Sequence, residues 1–178
     1  MNTYSFAKFP PIITERIVLR QLAAADETAI FKLRSDDRVN EFLDRPKPLT
    51  TEDAGKFIQK INNAIANNES LYWAIALKEE ASVLVGTICL WNFSEDKSVA
   101  EIGYELMPEQ QGKGIMQEAI KAIIDFSFNK IKLKTIEAYT HPLNAKSSGL
   151  LEKFNFKLRH ANPGEVENNM TIYELTTA

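Results

Sequence analysis

Residues Glu101 to Ile120 read EIGYELMPEQQGKGIMQEAI, and this stretch decides how the chain is built. Its first half alternates apolar and polar residues as far as Leu106, the pattern of a half-buried strand. Pro108 then interrupts the pairing, and two glycines punctuate a loop. Ile115, Ala119, Ala122, Ile123 and Phe126 follow at helical spacing, which predicts a helix from Gly114 to Phe128. Gly112 and Gly114 let the backbone approach a ligand closely, and the first helical turn presents N–H groups at the positive end of the helix dipole. Such a site suits an anion, a pyrophosphate in particular. Lys113 either adds a point charge there or is simply solvated. The segment has neither the GxxxxGK(S/T) of a P-loop nor the full GxGxxG of a dinucleotide turn, which argues against ATP and NAD.

Upstream of this stretch, Leu71 to Leu77, Val83 to Phe93 and Val99 to Met107 read as strands separated by KEEAS and SEDKS, segments short enough for hairpins. An antiparallel meander therefore leads into the glycine loop. Earlier still, Arg16 to Leu22 reads as a first strand, and Asp26 is placed to cap a short helix carrying Ile30 and Leu33. Asp37 to Pro48 reads as loop, and Thr50 and Thr51 cap a helix with Phe57, Ile61, Ala64 and Ile65 on one face, ending near Asn67 and Asn68. Downstream, NKIKLK (residues 129–134) joins a helix end to a strand over Lys134 to Thr140. A helix from about Ala145 to Phe154 and strands near Phe156 to Arg159 and Thr171 to Leu175 complete the chain. The class is α+β, a mixed sheet covered by helices.

Composition narrows the function. A chain of 178 residues with 44% hydrophobic content, without linker or repeat, reads as one domain over residues 1–178. A net charge of −3 and the lack of a basic patch predict no nucleic-acid partner. No apolar run approaches the roughly 18 residues of a membrane span, and the opening MNTYSFAKFPP lacks a signal-peptide core, so the expectation is a cytoplasmic protein with no membrane partner. The single cysteine, Cys89 in VLVGTICLW, reads as an inert buried strand residue. No His/Cys/carboxylate cluster has metal spacing, so no metal is predicted. His141 and His160 are assigned no role.

The glycine loop resembles the acetyl-CoA loop of the GNAT acetyltransferases, Q/R-x-x-G-x-G/A. Gln111 and Gly114 match, whereas Met116 departs from the pattern. The resemblance extends further: TERIVLR at Thr14 to Arg20 and AEIGYEL from Ala100 are similar to strands of the RimJ/RimL-like branch, which acetylates protein N-termini and some small amines. Asn144 to Phe156, NAKSSGLLEKFNF, resembles its N-x-x-S-x-x-L-L-E-K-x-G-F, with Asn155 in place of the glycine. Asparagine also tolerates the left-handed backbone expected there. The resemblance implies a mixed, mostly antiparallel twisted sheet of about seven strands with about four helices, splayed between its fourth and fifth strands to admit acyl-CoA.

By the same resemblance, the backbone of Leu106 and Met107 runs beside the pantetheine arm. The amides of Gln111, Gly112, Lys113, Gly114, Ile115 and Met116 hold the pyrophosphate, and Asn144 lies near the thioester while also serving as a helix N-cap. The amine attacks the thioester directly, so the protein supplies a base, an oxyanion donor and an acid. Glu101 is the expected base, the Met107 N–H the oxyanion donor, and Ser147, then Tyr139, the acid for the thiolate. The partners are acetyl-CoA and a primary amine, foremost a protein N-terminus. A polyamine, amino acid or aminoglycoside held by loop carboxylates such as Glu41, Asp44 and Glu69 is the alternative, as is a non-catalytic acyl-CoA sensor. A homodimer is compatible with the branch, with Trp91 or Phe93 at an interface or inside a strand.

Overall fold

The computed structural model describes residues 4–6, 10–160 and 170–177. Among them eight strands form one sheet: β1 (Ile12–Ile13), β2 (Ile17–Gln21), β3 (Leu71–Leu77), β4 (Leu84–Trp91), β5 (Val99–Leu106), β6 (Thr135–Thr140), β7 (Lys157–Arg159) and β8 (Thr171–Thr176). Their order is β1-β2-β3-β4-β5-β6-β8-β7, and only β5 and β6 run parallel. The helices are α1 (Glu27–Ser35), α2 (Asp37–Asn40), α3 (Thr51–Ala66), α4 (Ile115–Phe126) and α5 (Ala145–Lys153). None is long and apolar enough to cross a membrane.

The register places the helices. Tyr72, Cys89 and Gly103 stand opposite one another on β3, β4 and β5, as do Trp73, Ile88 and Tyr104. Opposed residues share a face. On the first face Phe57 of α3 meets Tyr72 edge to face at 5.8 Å, and on the second Phe126 of α4 meets Trp73 at 5.6 Å. Helices α1 and α3 thus cover one face, α4 and α5 the other. Buried Trp73, Ile75, Ile88, Leu90 and Ile120 belong to the core between sheet and helices.

One feature of the sheet prepares a site. β5 pairs with β6 only at Val99↔Thr135, Ala100↔Ile136 and Glu101↔Glu137. Beyond Glu101 the strands part, while β5 stays paired to β4 as far as Leu106 and β6 stays paired to β8 as far as Thr140. The splay that the resemblance implies is therefore present between these two strands.

Three local expectations are corrected. Part of the stretch from Asp37 to Pro48 is helical, because Asp36 accepts the Arg38 N–H at 2.9 Å and starts α2. Four residues are too few to show a period. The Asp26 side chain does not cap α1: its buried carboxylate accepts the Ala23 N–H at 2.8 Å and both terminal Arg20 guanidinium nitrogens at 2.8 Å. β1 is a two-residue strand with no alternation to read. Asn155 fulfils its expectation, with φ 62°: its N–H reaches the Glu152 carbonyl and that of Phe156 reaches Leu151, closing α5 in a Schellman motif.

Candidate active site

The glycine loop begins where β5 ends. The Met107 N–H donates to the Val85 carbonyl at 2.9 Å, Pro108–Gln110 form a tight 3-10 turn closed by the Gln111 N–H on the Pro108 carbonyl at 3.2 Å, and the Gln111 side-chain amide donates to the Leu106 carbonyl at 3.1 Å. Gly112 and Gly114 both adopt left-handed backbone, φ 77° and 76°, which only glycine takes without strain. No atom lies within 4 Å of where a Gly112 side chain would begin, so the turn is an open cradle. Gly114 is the N-cap of α4, and the first helical bond runs from the Glu118 N–H to its carbonyl. The amides of Ile115, Met116 and Gln117 precede that bond and have no partner within the helix. The side chains of Ile115 and Met116 are buried. Methionine at the position where the pattern has Gly or Ala therefore points into the core and leaves its amide at the helix end. Lys113 is exposed and donates to Gln110 at 3.1 Å, the solvated alternative. This cradle fits a pyrophosphate: donors, dipole and open space coincide.

Glu101 is the last residue of β5 paired to β6, and it lies on the α1/α3 face. Burial pushes its carboxyl up to about 7; hydrogen bonds from Asn92 and Trp91 pull it back, and the neighbouring Glu137 charge adds to the rise. Glu137 is itself held by Arg159 at 2.8 Å.

Ser147 lies in the first turn of α5, its Oγ 2.9 Å from the hydroxyl of Tyr104 on β5. Asn144 Oδ1 accepts the Ser147 N–H at 3.1 Å, so Asn144 is the N-cap and fixes the serine. Burial pushes the Tyr104 hydroxyl up to about 12, with the Ser147 hydrogen bond opposing, so it stays protonated. Tyr104 escaped the sequence reading because a tyrosine in alternating strand context looks like core. Tyr139 shares the face of Glu137 and donates to it at 3.3 Å. The structure thus does not bring Tyr139 to Ser147. His141 stacks on Phe42, centroids 5.5 Å apart, joining the loop after α2 to the turn after β6.

The loop carboxylates Glu41, Asp44 and Glu69 are exposed, whereas the Glu105 side chain on the α1/α3 face is enclosed, 8% exposed. Arg45 pairs with it at 2.6 Å, Arg34 stands at 3.8 Å, and Thr87 donates to it at 3.3 Å while accepting from Tyr72. Arg34 lies 4.0 Å over the Phe57 ring, and Arg45 also donates to Asn40 at 2.8 Å. The signal for this site was present in the two-residue spacing of Glu101, Gly103 and Glu105. Cys89 is half-buried rather than fully buried, and burial pushes its thiol up to about 12, which keeps it inert. Trp91 is half-exposed, whereas Phe93 packs on Phe6 at 4.9 Å.

The site is thus a sheet parted beside an anion cradle, with a carboxyl on one face of the gap and paired hydroxyls on the other. Residues 16–157 match the acetyltransferase (GNAT) domain. The chain is 30% identical to the uncharacterized N-acetyltransferase YoaA of Bacillus subtilis over 149 residues, 84% of each chain. Its fold is that of RimL, the ribosomal L7/L12 alpha-N-protein acetyltransferase solved with coenzyme A, at TM-score 0.81 and 18% identity over 94% of this chain and 98% of that one. The ribosomal-protein-S5-alanine acetyltransferase of Vibrio fischeri is similar at TM-score 0.77 and 23% identity, covering 94% and 96%. The chain belongs to the GNAT family and is an acetyl-CoA-dependent N-acetyltransferase.

Proposed function

We propose that the chain transfers acetyl from acetyl-CoA to the α-amino group of a protein N-terminus. The observation that carries this reading is the place of Glu101, a part-buried carboxyl where β5 and β6 part, and its burial raises it to about 7. An α-amine with a pKa of about 8 is roughly one-tenth neutral at pH 7, whereas a lysine near 10.4 is under one-thousandth neutral. A carboxyl titrating near 7 accepts a proton from the first without needing a stronger base.

The amine nitrogen attacks the thioester carbonyl, its proton passing through water to Glu101. The Met107 N–H is engaged with Val85, so strand alternation favours the N–H one residue earlier, on Leu106, as the oxyanion donor. The intermediate then collapses, the C–S bond breaks, and the thiolate takes its proton from Ser147, resupplied by Tyr104. The amides of Gly112, Lys113, Gly114, Ile115 and Met116 hold the pyrophosphate of the donor, while Gln111, engaged with Pro108 and Leu106, ties the turn to the end of β5.

Two guanidiniums flank Glu105 and offset its charge, which favours the peptide reading over a polyamine or an aminoglycoside at this wall. The same reading carries a cytoplasmic setting, with half-exposed Trp91 as the residue to test for a homodimer contact. The test is thiol release from acetyl-CoA against N-terminal peptides, polyamines, amino acids and aminoglycosides, with a no-acceptor control. Release with peptides alone supports the proposal. Release only with small amines replaces the acceptor, and binding of acetyl-CoA without release from any amine makes the protein a sensor.

A further inference from the structure

Before β2 begins, Thr14 and Ile17 close a turn on themselves, Thr14 N–H to Ile17 carbonyl at 3.0 Å. That turn points three donors at one carboxylate. Glu118, in the first turns of α4, accepts the Thr14 hydroxyl, the Arg16 N–H at 2.8 Å and Arg16 Nε at 2.7 Å. The other edge of the same guanidinium goes to the glycine turn: Arg16 Nη1 donates to the Lys113 carbonyl at 3.0 Å, and Nη2 stands 3.3 Å from where a side chain on Gly114 would begin. Burial would raise the Glu118 carboxyl, but the hydrogen bonds from Thr14 and Arg16 hold it below its ordinary value. It is therefore a charged anchor near neutral pH.

These contacts join residues about a hundred positions apart in sequence, and none belongs to the backbone bonding of β2 or α4. A guanidinium beside the positive end of a helix is repelled by it, and a carboxylate one turn along offsets that repulsion. What the arrangement fixes is the Lys113 carbonyl. A loop of Gly-Lys-Gly has many accessible conformations, and turning one carbonyl away from the helix end selects those in which the neighbouring amides face outward.

We propose that Arg16, clamped by Glu118, is a positioning residue for the donor site: it holds the Gly112–Gly114 turn in its anion-binding shape before acetyl-CoA arrives. The inference rests on the proposal that this loop holds the donor pyrophosphate. Arg16 acts through the loop backbone, so its effect falls on donor affinity and leaves the chemical step alone.

The experiment measures the Kd of acetyl-CoA by calorimetry, and kcat at saturation, for the full chain and for Arg16→Met, Arg16→Lys and Glu118→Gln, with melting curves for each. If the competent loop population falls to about one-tenth, Kd rises about tenfold while kcat stays within about twofold. Arg16→Lys is expected to behave like Arg16→Met, because one ammonium cannot span Glu118 and Lys113 together. It also serves as the gentler variant should Arg16→Met fail to fold. A wild-type Kd in Arg16→Lys would overturn the inference in favour of simple charge attraction, and unchanged Kd in all three variants would overturn it outright. Absence of acetyl-CoA binding by the unaltered protein would remove the donor-site proposal itself, and the inference with it.

Discussion

Replacing Glu101 by glutamine should move activity and stability in opposite directions, and pH separates the two. The carboxyl rises from an ordinary 4.5 to about 7 in the folded chain. Each tenfold change in proton affinity is worth about 1.4 kcal/mol, so ionising this group in place costs the fold about 3 kcal/mol at most. Below pH 4.5 both folded and unfolded chains hold the proton and nothing is lost. Between 4.5 and 7 the unfolded chain releases it first, so destabilisation grows with pH and is complete above 7. Glutamine carries no such cost: the variant should match the parent at pH 4.5 and melt several degrees higher at pH 8. Activity behaves otherwise. As base, Glu101 works once ionised, so the kcat/KM of the parent should rise on two limbs, one near pH 7 from Glu101 and one near 8 from the α-amine, and the variant should keep only the amine's, with a fall of about a hundredfold or more at pH 8. Melting curves and pH–rate profiles from pH 5 to 8.5 measure both. A variant that keeps the limb near pH 7, or whose melting advantage does not grow with pH, would refute the reasoning.

Ser147→Ala should lower kcat while leaving the Kd of acetyl-CoA unchanged, and Tyr104→Phe should do the same more mildly because the serine remains; full turnover in both alongside a dead Tyr139→Phe would reverse the assignment of the acid. Glu105→Gln leaves two buried guanidiniums facing a neutral amide and should cost about 3–5 kcal/mol in denaturant unfolding, with acetyl-CoA affinity preserved in the folded fraction. Asn155→Ala should cost about 1–2 kcal/mol, since alanine pays the left-handed penalty, and Asn155→Gly should cost nothing; equal losses would show that the side chain, not the backbone, matters there.

Much of the fold was legible because it is encoded locally. Alternation in EIGYEL, the helical stripe from Ile115 to Phe126 and the capping residues Thr50 and Asn144 each act within a few residues, and the structure shows all of them. Elements too short to hold a period, α2 and β1, could not be read. The glycine turn was legible for the same local reason: positive φ at Gly112 and Gly114 is a property of those residues themselves.

The sequence by itself determined the strand, turn and helix that build the anion cradle, and with them the family. Only the tertiary structure decided which groups meet across the sheet. Tyr104 finds Ser147 from 43 positions away, Arg16 finds Glu118 from 102, and Glu105 is clasped by arginines from two other segments. The Met107 N–H, expected at the oxyanion, is committed to Val85. The reason is register: which N–H points into the gap and which side chain shares a face depends on how strands pair at long range, and a shift of one residue would exchange every assignment.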